Sequence, residues 1–300
     1  MENFEIIDRY GTKVYGNKWE IKKANANVVI VHGMAEHSAR YDDFASYLNN
    51  NGFNVYALDH KGHKLNTKEE LGEDELGVWD KKSFGVCVDR VKDEIDIVNN
   101  NGLPTYVFSH SMGSFMGQML IEKYPGIVDK IVLCGSSGKQ GLYKLGKILS
   151  HIHCFGKKLS KKSFFLNKVA FASYNNKIKK PNTKFDWLSV NEENVNVYMQ
   201  DPYCGFVPSR GFFLSFMDGL VNISKKKNLK KIDTNTKILL VAGEEDPVGG
   251  YGKYVRVLQR QYIARKISSS MILYKSLRHE ILNEKENAKI YEDILSFLKG

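Results

Sequence analysis

The chain has 300 residues, 42% of them hydrophobic and 26% charged, and a formal net charge of +10 at pH 7. This length accommodates one large α/β domain with an insertion or two small domains, and the composition is that of an ordinary globular protein with a sizeable core. No apolar run approaches the roughly 18 residues of a membrane span, and the first residues lack the basic and apolar regions of a signal peptide.

Short apolar runs with the character of strands recur along the chain, and helical patterns lie between them. Segments 4–7 and 13–15 predict an antiparallel hairpin at the edge of a sheet. The later runs predict buried parallel strands, because they are apolar on both faces. These runs span residues 28–31, 53–58, 105–108, 131–134, 238–242 and 271–274. Apolar residues at helical spacing predict helices near residues 41–51, 84–98, 112–124 and 283–298.

The alternation of strand and helix stops after Cys134 and resumes at Ile238. Such an alternation predicts an α/β fold, in which helices cover both faces of a mostly parallel sheet. The long stretch between these two strands has helical apolar patterns of its own, around residues 142–149, 195–199 and 212–220. We therefore expect a core formed by residues 1–138 and 232–300, with an inserted helical cap (lid) over residues 139–231.

The segment Ser109-His110-Ser111-Met112-Gly113 joins an apolar strand to an apolar helix. A serine at the centre of such a turn projects its hydroxyl above the sheet edge, which is the context of a nucleophile elbow. The turn also leaves the first amides of the helix free to face an oxyanion. Ser109 occupies the position where the G-x-S-x-G pattern has its first glycine, and it is small enough for the turn. Ser111 is therefore the predicted nucleophile.

A serine hydroxyl needs a base that takes its proton and a carboxylate that orients the base. In elbow-type hydrolases these residues follow in the order Ser, acid, His, each in a loop after a strand. Asp246 follows a predicted strand and is the preferred acid, with Glu244 and Glu245 as the alternatives. His279 also follows a predicted strand, and no other histidine comes after Asp246. His279 is therefore the predicted base.

Another apolar strand leads into His32-Gly33-Met34. We expect the backbone amides of Met34 and Met112 to be the oxyanion donors, since both lie at a strand end beside the predicted serine. Residues 36–38, Glu-His-Ser, extend the first loop and either line the pocket or form a plain loop. Candidate substrate contacts in and near these loops are Gly33, His37 and His110.

The predicted cap has an aromatic stripe in which Phe212 and Phe216 either line an acyl channel or form plain cap core. Neither of two further motifs carries a site. His151 and His153 are two residues apart and do not share a helix face, so they do not predict a metal site. Residues 135–139, Gly-Ser-Ser-Gly-Lys, lack the spacing of a phosphate-binding loop. We expect neither a metal nor another cofactor.

The positive charge is concentrated in two lysine-rich stretches, at residues 157–180 and 225–231. One interpretation of this charge is transient attraction to an anionic membrane surface or to an acidic substrate. The other is that these lysines are solvated surface residues without a functional role. We expect no nucleic-acid partner, because the chain has no nucleic-acid-binding motif. The four cysteines lie far apart without a C-x-x-C pair, which predicts free thiols and a cytoplasmic location.

The order and content of these motifs resemble the α/β-hydrolases of the monoacylglycerol lipase and lysophospholipase group, a part of the serine aminopeptidase-like hydrolases. The resemblance covers nearly the whole chain and departs from the family pattern at Ser109 and at Lys61, where the family has glycine and arginine. Its motifs are H-G-x-x-E-H-S-x-R-Y at 32–41, D-x-K-G-H at 59–63, S-H-S-M-G-S at 109–114, D-P-x-C-G-F at 201–206 and G-x-x-D-x-V at 243–248.

The resemblance implies the α/β-hydrolase fold and an esterase with a cap over an acyl pocket. The expected reaction is hydrolysis of a single-chain acyl ester, such as a monoacylglycerol or a lysophospholipid, through an acyl-enzyme. The alternatives are a thioesterase, a serine aminopeptidase that uses Glu36 or Glu193 to anchor a free N-terminus, and a non-catalytic basic protein that binds a membrane surface.

Overall fold

The computed structural model describes residues 1–67, 75–223 and 225–300, and these residues form one eight-stranded sheet. In chain order its strands are β1 (Glu2–Ile7), β2 (Lys13–Trp19), β3 (Ala26–Val31), β4 (Phe53–Leu58), β5 (Thr105–His110), β6 (Lys130–Cys134), β7 (Lys237–Gly243) and β8 (Ser269–Tyr274). In space their order is β1-β2-β4-β3-β5-β6-β7-β8. Strands β1 and β2 pair in antiparallel fashion, β2 is antiparallel to β4, and the other pairs are parallel. The predicted α/β fold with an N-terminal edge hairpin is therefore confirmed.

Helices cover both faces of this sheet and form most of the segment between β6 and β7. In chain order they are α1 (Asp42–Asn50), α2 (Ser83–Val98), α3 (Met112–Lys123), α4 (Gly141–Cys154), α5 (Phe164–Phe171), α6 (Glu192–Gln200), α7 (Arg210–Ile223), α8 (Lys226–Leu229), α9 (Lys253–Ile263) and α10 (Ala288–Lys299). The sequence patterns do not predict α5, α8 or α9.

The core has two layers because successive residues of a strand point to opposite faces of the sheet. Along β3, Val29 and Val31 pack against residues of α2, α3 and α9, whereas Val28 and Ile30 pack against residues of α1 and α10. Every residue of β3 and β4 is buried. This burial on both sides explains why the strands are recognisable as continuous apolar runs.

The segment between β6 and β7 contains α4 to α8 and packs back onto the sheet's helices through α7. Helix α7 contacts α2 and α3, and a Cβ atom on Gly219 would lie 2.4 Å from the ring of Phe84 on α2. Helix α4 packs on α7 in turn, at Gly146 and Met217. Within the described ranges, no helix combines the length and the apolar character needed to cross a membrane.

Candidate active site

The turn after β5 has a strained backbone at Ser111, whose φ is 53° and ψ is −120°. The Ser111 amide donates to the carbonyl of Cys134 at the end of β6, with a distance of 2.9 Å, and this bond fixes the turn at the carboxyl edge of the sheet. A Cβ atom on Gly113 would lie 2.0 Å from the carbonyl oxygen of Val31, so glycine is required where helix and strand meet. Strain of this kind persists only where the surroundings hold it, and it is common at active sites.

Ser109 stands where the family pattern has glycine, and the structure accommodates its side chain. The residue is fully buried, and its hydroxyl donates to the carbonyl of Val132 on β6 at 2.8 Å. A Cβ atom on Gly117, in helix α3, would lie 2.8 Å from this hydroxyl oxygen. The serine therefore fills the small space between strand and helix without an unpaired polar atom.

Asp246 and His279 meet at the same edge of the sheet. Asp246 Oδ2 lies 3.0 Å from His279 Nδ1, and both side chains are almost completely buried. The other oxygen of this carboxylate accepts from the amide of Val248 at 2.8 Å. Glu244 and Glu245, the alternative acids, are exposed. Asp246 is therefore the carboxylate that the fold directs at the imidazole.

The imidazole of His279 lies beside the turn that carries Ser111. Its ring centroid is 4.7 Å from that of His110 and 5.1 Å from that of Trp187, and a Cβ atom on Gly135 would lie 2.8 Å from its Cε1. The ring is not well aligned with Asp246, and its Nε2 has no hydrogen-bond partner in the described structure. Catalytic hydrogen bonds are often long or poorly aligned without substrate.

Burial alone would lower the pKa of His279, but the charge and hydrogen bonding of Asp246, together with the charges of Glu280 and Glu36, outweigh it and raise the pKa above its ordinary value. At the neighbouring His110, burial outweighs the opposing charge of Glu280 and lowers the pKa well below the ordinary value. The two neighbouring rings therefore have pKa shifts of opposite direction, so His279 keeps a proton to a higher pH than His110 does.

The loop after β3 brings backbone amides to the same place. A Cβ atom on Gly33 would lie 3.1 Å from Cβ of Ser111, so the two backbones almost touch. The Gly33 amide donates to Glu36 Oε1 at 2.5 Å and the Ala35 amide to His63 Nε2 at 3.3 Å. Between them, the Met34 amide donates to no described group. The amide of Met112, the first in α3, has no acceptor within the helix.

A cluster of buried neutral histidines supports this loop from the core side. His32 Nδ1 and the carbonyl of Gly33 are 2.8 Å apart, and the His60 amide donates to His32 Nε2 at 3.0 Å. Burial lowers the pKa of His60 to about 4 and that of His63 to about 3, and it lowers the pKa of His32 well below its ordinary value. Neutral rings can accept the amide hydrogen bonds that hold the loop, whereas protonated rings cannot.

A buried ion network joins the same loop to the residue after His279. Arg40 donates to Glu36 Oε2 at 2.9 Å and to both carboxylate oxygens of Glu280 at 2.8 Å each. Burial would raise the pKa of Glu280, but the Arg40 guanidinium holds it at about 2. Asn194 of helix α6 donates to Glu280 as well, at 2.7 Å. The patterns in the sequence do not predict this network, although Glu36 and Arg40 both lie in the loop motif at 32–41.

The segment between β6 and β7 contacts the loop directly. The hydroxyl of Tyr198 and the amide of Gly205 both donate to the carbonyl of Ala35, at 2.9 and 3.0 Å. His37 Nε2 lies 2.7 Å from the carboxylate of Asp201, so this candidate substrate contact is engaged with the inserted segment. Ala35 has a φ of 55°, which orients its carbonyl toward these donors.

Among the described residues, His37, Asp201 and Cys204 form a group with metal-ligand chemistry, and their ligand atoms lie within 4.8 Å of one another. Two fixed cations oppose a metal ion there. The Lys64 ammonium lies 3.4 Å from His37 Nδ1, and the positive charge of Arg40 acts on the Cys204 thiol. Burial nevertheless raises the pKa of Cys204, so the thiol stays protonated and is a poor ligand.

The two candidate channel residues have different surroundings. Phe212 has no exposed surface and packs on Trp79, with ring centroids 4.0 Å apart, so it is a core residue in this structure. Phe216 is partly exposed, and its ring centroid lies 6.0 Å from that of Phe115 in the first turn of α3. Of the two, Phe216 is the one with exposed surface.

Comparison with known proteins gives one family and several relatives. The family model described as serine aminopeptidase, S33, matches residues 22–286. The chain is 26% identical over 280 residues to a monoacylglycerol lipase of Mycolicibacterium smegmatis, covering 90% of this chain and 87% of that protein. It is 30% identical to the human monoglyceride lipase over 131 residues, which are 43% of this chain and 41% of that protein.

Solved structures agree on the fold. A carboxyl esterase from Bacillus coagulans, solved in complex with glycerol, superposes with a TM-score of 0.91 at 25% identity, covering 100% of this chain and 98% of that one. A monoacylglycerol lipase from Paleococcus ferrophilus superposes with a TM-score of 0.68 at 21% identity, covering 99% and 98% of the two chains. The fold predicted from the sequence is thereby shown to be that of the α/β-hydrolases.

Proposed function

Because the chain belongs to the serine aminopeptidase, S33, family of hydrolases, we propose that it cleaves carboxylic esters with a single acyl chain, through an acyl-enzyme on Ser111. The observation that carries this proposal is the 3.0 Å approach of Asp246 to His279 beside the strained turn at Ser111. A monoacylglycerol or a lysophospholipid is the proposed substrate class, and we place the reaction in the cytoplasm because all four cysteines are free thiols.

In the first step, Ser111 Oγ attacks the ester carbonyl while His279 Nε2 takes its proton. The free Nε2 must therefore close onto the hydroxyl when substrate enters. Asp246 accepts a hydrogen bond from the Nδ1–H of His279 and stabilises the imidazolium that forms. The tetrahedral intermediate then collapses, the C–O bond to the alcohol breaks, and His279 protonates the departing oxygen.

In the second step, water attacks the acyl-enzyme, gives a proton to His279, and releases the fatty acid as Ser111 recovers its hydrogen. The amides of Met34 and Met112 are the proposed donors to the oxyanion in both steps, because each follows a residue next to or within the Ser111 turn and neither has a backbone acceptor among the described residues. Loss of one such donor typically costs about 3–4 kcal/mol of transition-state stabilisation.

Three observations support an acyl ester as the substrate. A relative that aligns over 90% of this chain is named a monoacylglycerol lipase, and a solved relative with a TM-score of 0.91 is a carboxyl esterase. Partly exposed apolar side chains, Met34, Tyr143, Phe216 and Met217, adjoin the core around α3 and could contact an acyl chain. We propose that residues 139–231 are a cap over this chain.

An aminopeptidase activity needs an acidic anchor for the free amino group of the peptide. Glu36, one of the two candidates, is buried and already bound to Arg40, to the hydroxyl of Tyr41 and to the amide of Gly33. The other candidate, Glu193, is exposed on helix α6. This engagement of Glu36 favours ester cleavage over peptide cleavage. The thioesterase alternative differs only in the leaving group and is included in the test.

The test is turnover of p-nitrophenyl esters of increasing chain length, with the matched thioesters and p-nitroanilides. We expect ester hydrolysis that falls by about four orders of magnitude or more in Ser111→Ala. Ser109→Ala is the matched control, because it removes a serine hydroxyl two residues away that is bonded to the backbone. Absence of turnover on all substrates would contradict the proposal, as would equal losses of activity in the two variants. Turnover of the thioester or the anilide that is faster than that of the ester would assign the enzyme to that substrate class instead.

A further inference from the structure

A short turn of the segment between β6 and β7 lies directly against His279. It is the 3₁₀ turn Asp186–Leu188, and Trp187 at its centre is buried. The indole of Trp187 contacts the imidazole of His279, with ring centroids 5.1 Å apart. The inserted segment therefore adds one side chain to the surroundings of the proposed base.

Hydrogen bonds join the same turn to both chain neighbours of the proposed base. Arg278 Nη1 donates to the carbonyl of Asp186 at 2.8 Å and to the carbonyl of Ser189 at 2.9 Å. The amide of Glu280 donates to the carbonyl of Leu188 at 2.6 Å. The turn and the loop that carries the base are therefore tied together on either side of the ring contact.

Other side chains hold the indole in place. The rings of Phe171 and Tyr174 pack on Trp187, with centroids at 5.7 and 4.8 Å. The Trp187 amide donates to Asn175 Oδ1 at 3.0 Å. Val248, whose amide donates to the proposed acid, packs against the same cluster. The indole is therefore fixed relative to the loops that carry the base and the acid.

The imidazole itself has little hydrogen bonding that could orient it. Among the described residues, neither of its ring nitrogens makes a well-aligned hydrogen bond, although Asp246 lies 3.0 Å from Nδ1. Two rings pack against it, His110 from the end of β5 and Trp187 from the inserted segment. This packing limits rotation of His279 until substrate aligns the hydrogen bonds. Misplacement of a catalytic group by about 1 Å can cost about 100-fold in rate, so the orientation of Nε2 toward Ser111 matters for turnover.

We propose that Trp187 is a positioning residue of the reaction: its indole holds the imidazole of His279 toward Ser111, and Arg278 fixes the turn that carries the indole. This inference rests on the proposed function, because it concerns the orientation of the proposed base. It gives the inserted segment a part in the chemical step, in addition to its proposed part in covering the substrate.

The experiment compares Trp187→Leu with Trp187→Phe in the full chain, using p-nitrophenyl acetate, whose short acyl group makes little use of an acyl pocket. We expect kcat to fall about tenfold in Trp187→Leu, the upper range for a contact between two aromatic rings, with KM changed by less than about twofold. Trp187→Phe keeps an aromatic ring against the imidazole and should retain kcat within about threefold of the parent. The rate of labelling by a small fluorophosphonate should fall in parallel with kcat, because this rate measures activation of the serine without an acyl chain.

Arg278→Gln tests the link between the turn and the loop of the base. This change removes the donor to two carbonyl groups of the turn, so kcat should fall in the same direction as in Trp187→Leu. The double variant should lose less than the product of the two separate losses, because the two residues act on the same ring. Losses that multiply fully would show that Arg278 acts independently of Trp187.

Phe213→Leu is the matched control, because this buried aromatic residue belongs to another cluster of the inserted segment, with Cys154 and Leu166. We expect it to lower the unfolding temperature without lowering kcat. NMR of labelled histidines gives a readout that needs no turnover. The ring resonance of His279, assigned from its loss in His279→Gln, should move in Trp187→Leu, which removes a neighbouring ring current, and stay in place in Phe213→Leu.

Three results would overturn the proposal. The first is a loss of kcat in Trp187→Leu that is no larger than the loss in Phe213→Leu. The second is a change confined to KM with an unchanged labelling rate, which would mean that Trp187 contacts the substrate instead. The third is a His279 resonance that does not respond to Trp187→Leu. A parent protein whose His279 resonance depends on Trp187 but that hydrolyses no ester would contradict the proposed function and still support the placement of the indole.

Discussion

The guanidinium of Arg40 and the carboxylate of Glu280 face each other through two parallel hydrogen bonds, each 2.8 Å long, and both groups are buried. Arg40 follows the loop that contains Met34, and Glu280 follows His279 directly. The pair therefore fixes the distance between the proposed oxyanion loop and the proposed base. A planar, bidentate pair gives directional as well as energetic constraint, which a lysine at position 40 would not reproduce.

Removing the charge of Glu280 should destabilise the fold, because Arg40 would remain buried with only Glu36 as an ionic partner. We expect Glu280→Gln to lower the free energy of unfolding at pH 7 by about 3 kcal/mol, measured by urea denaturation. Glu292→Gln is the matched control, since its pair with Lys289 is exposed, and it should have no measurable effect. Equal stabilities of the two variants would show that the buried network is not a constraint.

The hydroxyl of Tyr198 should act on turnover through the carbonyl of Ala35. In Tyr198→Phe the carbonyl of Ala35 keeps the hydrogen bond from Gly205 but loses the one from the tyrosine hydroxyl. Such a hydrogen bond contributes about 1 kcal/mol, so we expect kcat to fall about fivefold with little change in KM. Steady-state kinetics on a short-chain ester measures this split. Tyr203→Phe is the control, because this tyrosine lies in the same segment and its hydroxyl has no hydrogen bond to any residue that the structure describes. A change confined to KM would show that Tyr198 contacts substrate rather than positions the loop.

The buried histidines should make the protein sensitive to acid. His32, His60 and His63 have lowered pKa values when folded, so at these three sites the unfolded chain binds more protons between about pH 6.5 and 4, and their contribution to stability falls as the pH falls. Each contributes up to about 1.4 kcal/mol per pH unit. His279 has the opposite sign because its pKa is raised: its contribution is present below the ordinary pKa and is lost as the pH rises through the folded value.

Urea denaturation at several pH values between 7 and 4 measures the resulting slope. The raised pKa values of His279 and of the buried carboxyls Glu94 and Glu122 act in the opposite direction, so the contribution of one histidine is read from the difference between the parent protein and its variant. His60→Gln should reduce the slope by about the contribution of one proton, and His151→Gln, on an exposed ring, should leave it unchanged. An unchanged slope in His60→Gln would mean that this ring is not held neutral.

Much of the fold is predictable because its buried parallel strands are apolar on both faces, as in β3 and β4. Helix α9 is not predicted, since its buried residues Val255, Leu258 and Tyr262 are interspersed with lysine, arginine and glutamine. Helix α5 is not predicted either, because several of its apolar residues face outward and give no core periodicity.

For the site, the sequence predicts which residues end strands, and parallel strands place those ends at one edge. This is sufficient to select Asp246 and His279, which the fold brings to 3.0 Å. The contacts of Arg40 with Glu280 and of Tyr198 with Ala35 join residues that are far apart in the chain and belong to no local pattern. Such contacts follow only from the folded arrangement of the inserted segment and the loops.

Covalent labelling with a fluorophosphonate tests the proposed nucleophile most directly, because the probe reacts with an activated serine whichever ester is the natural substrate. Mass spectrometry of the digested protein should find one adduct, on the peptide that contains Ser111. His279→Gln should abolish it, while thermal unfolding shows an intact fold. An adduct on another serine, or labelling at an unchanged rate in the folded His279→Gln variant, would contradict the assignment of Ser111 and His279.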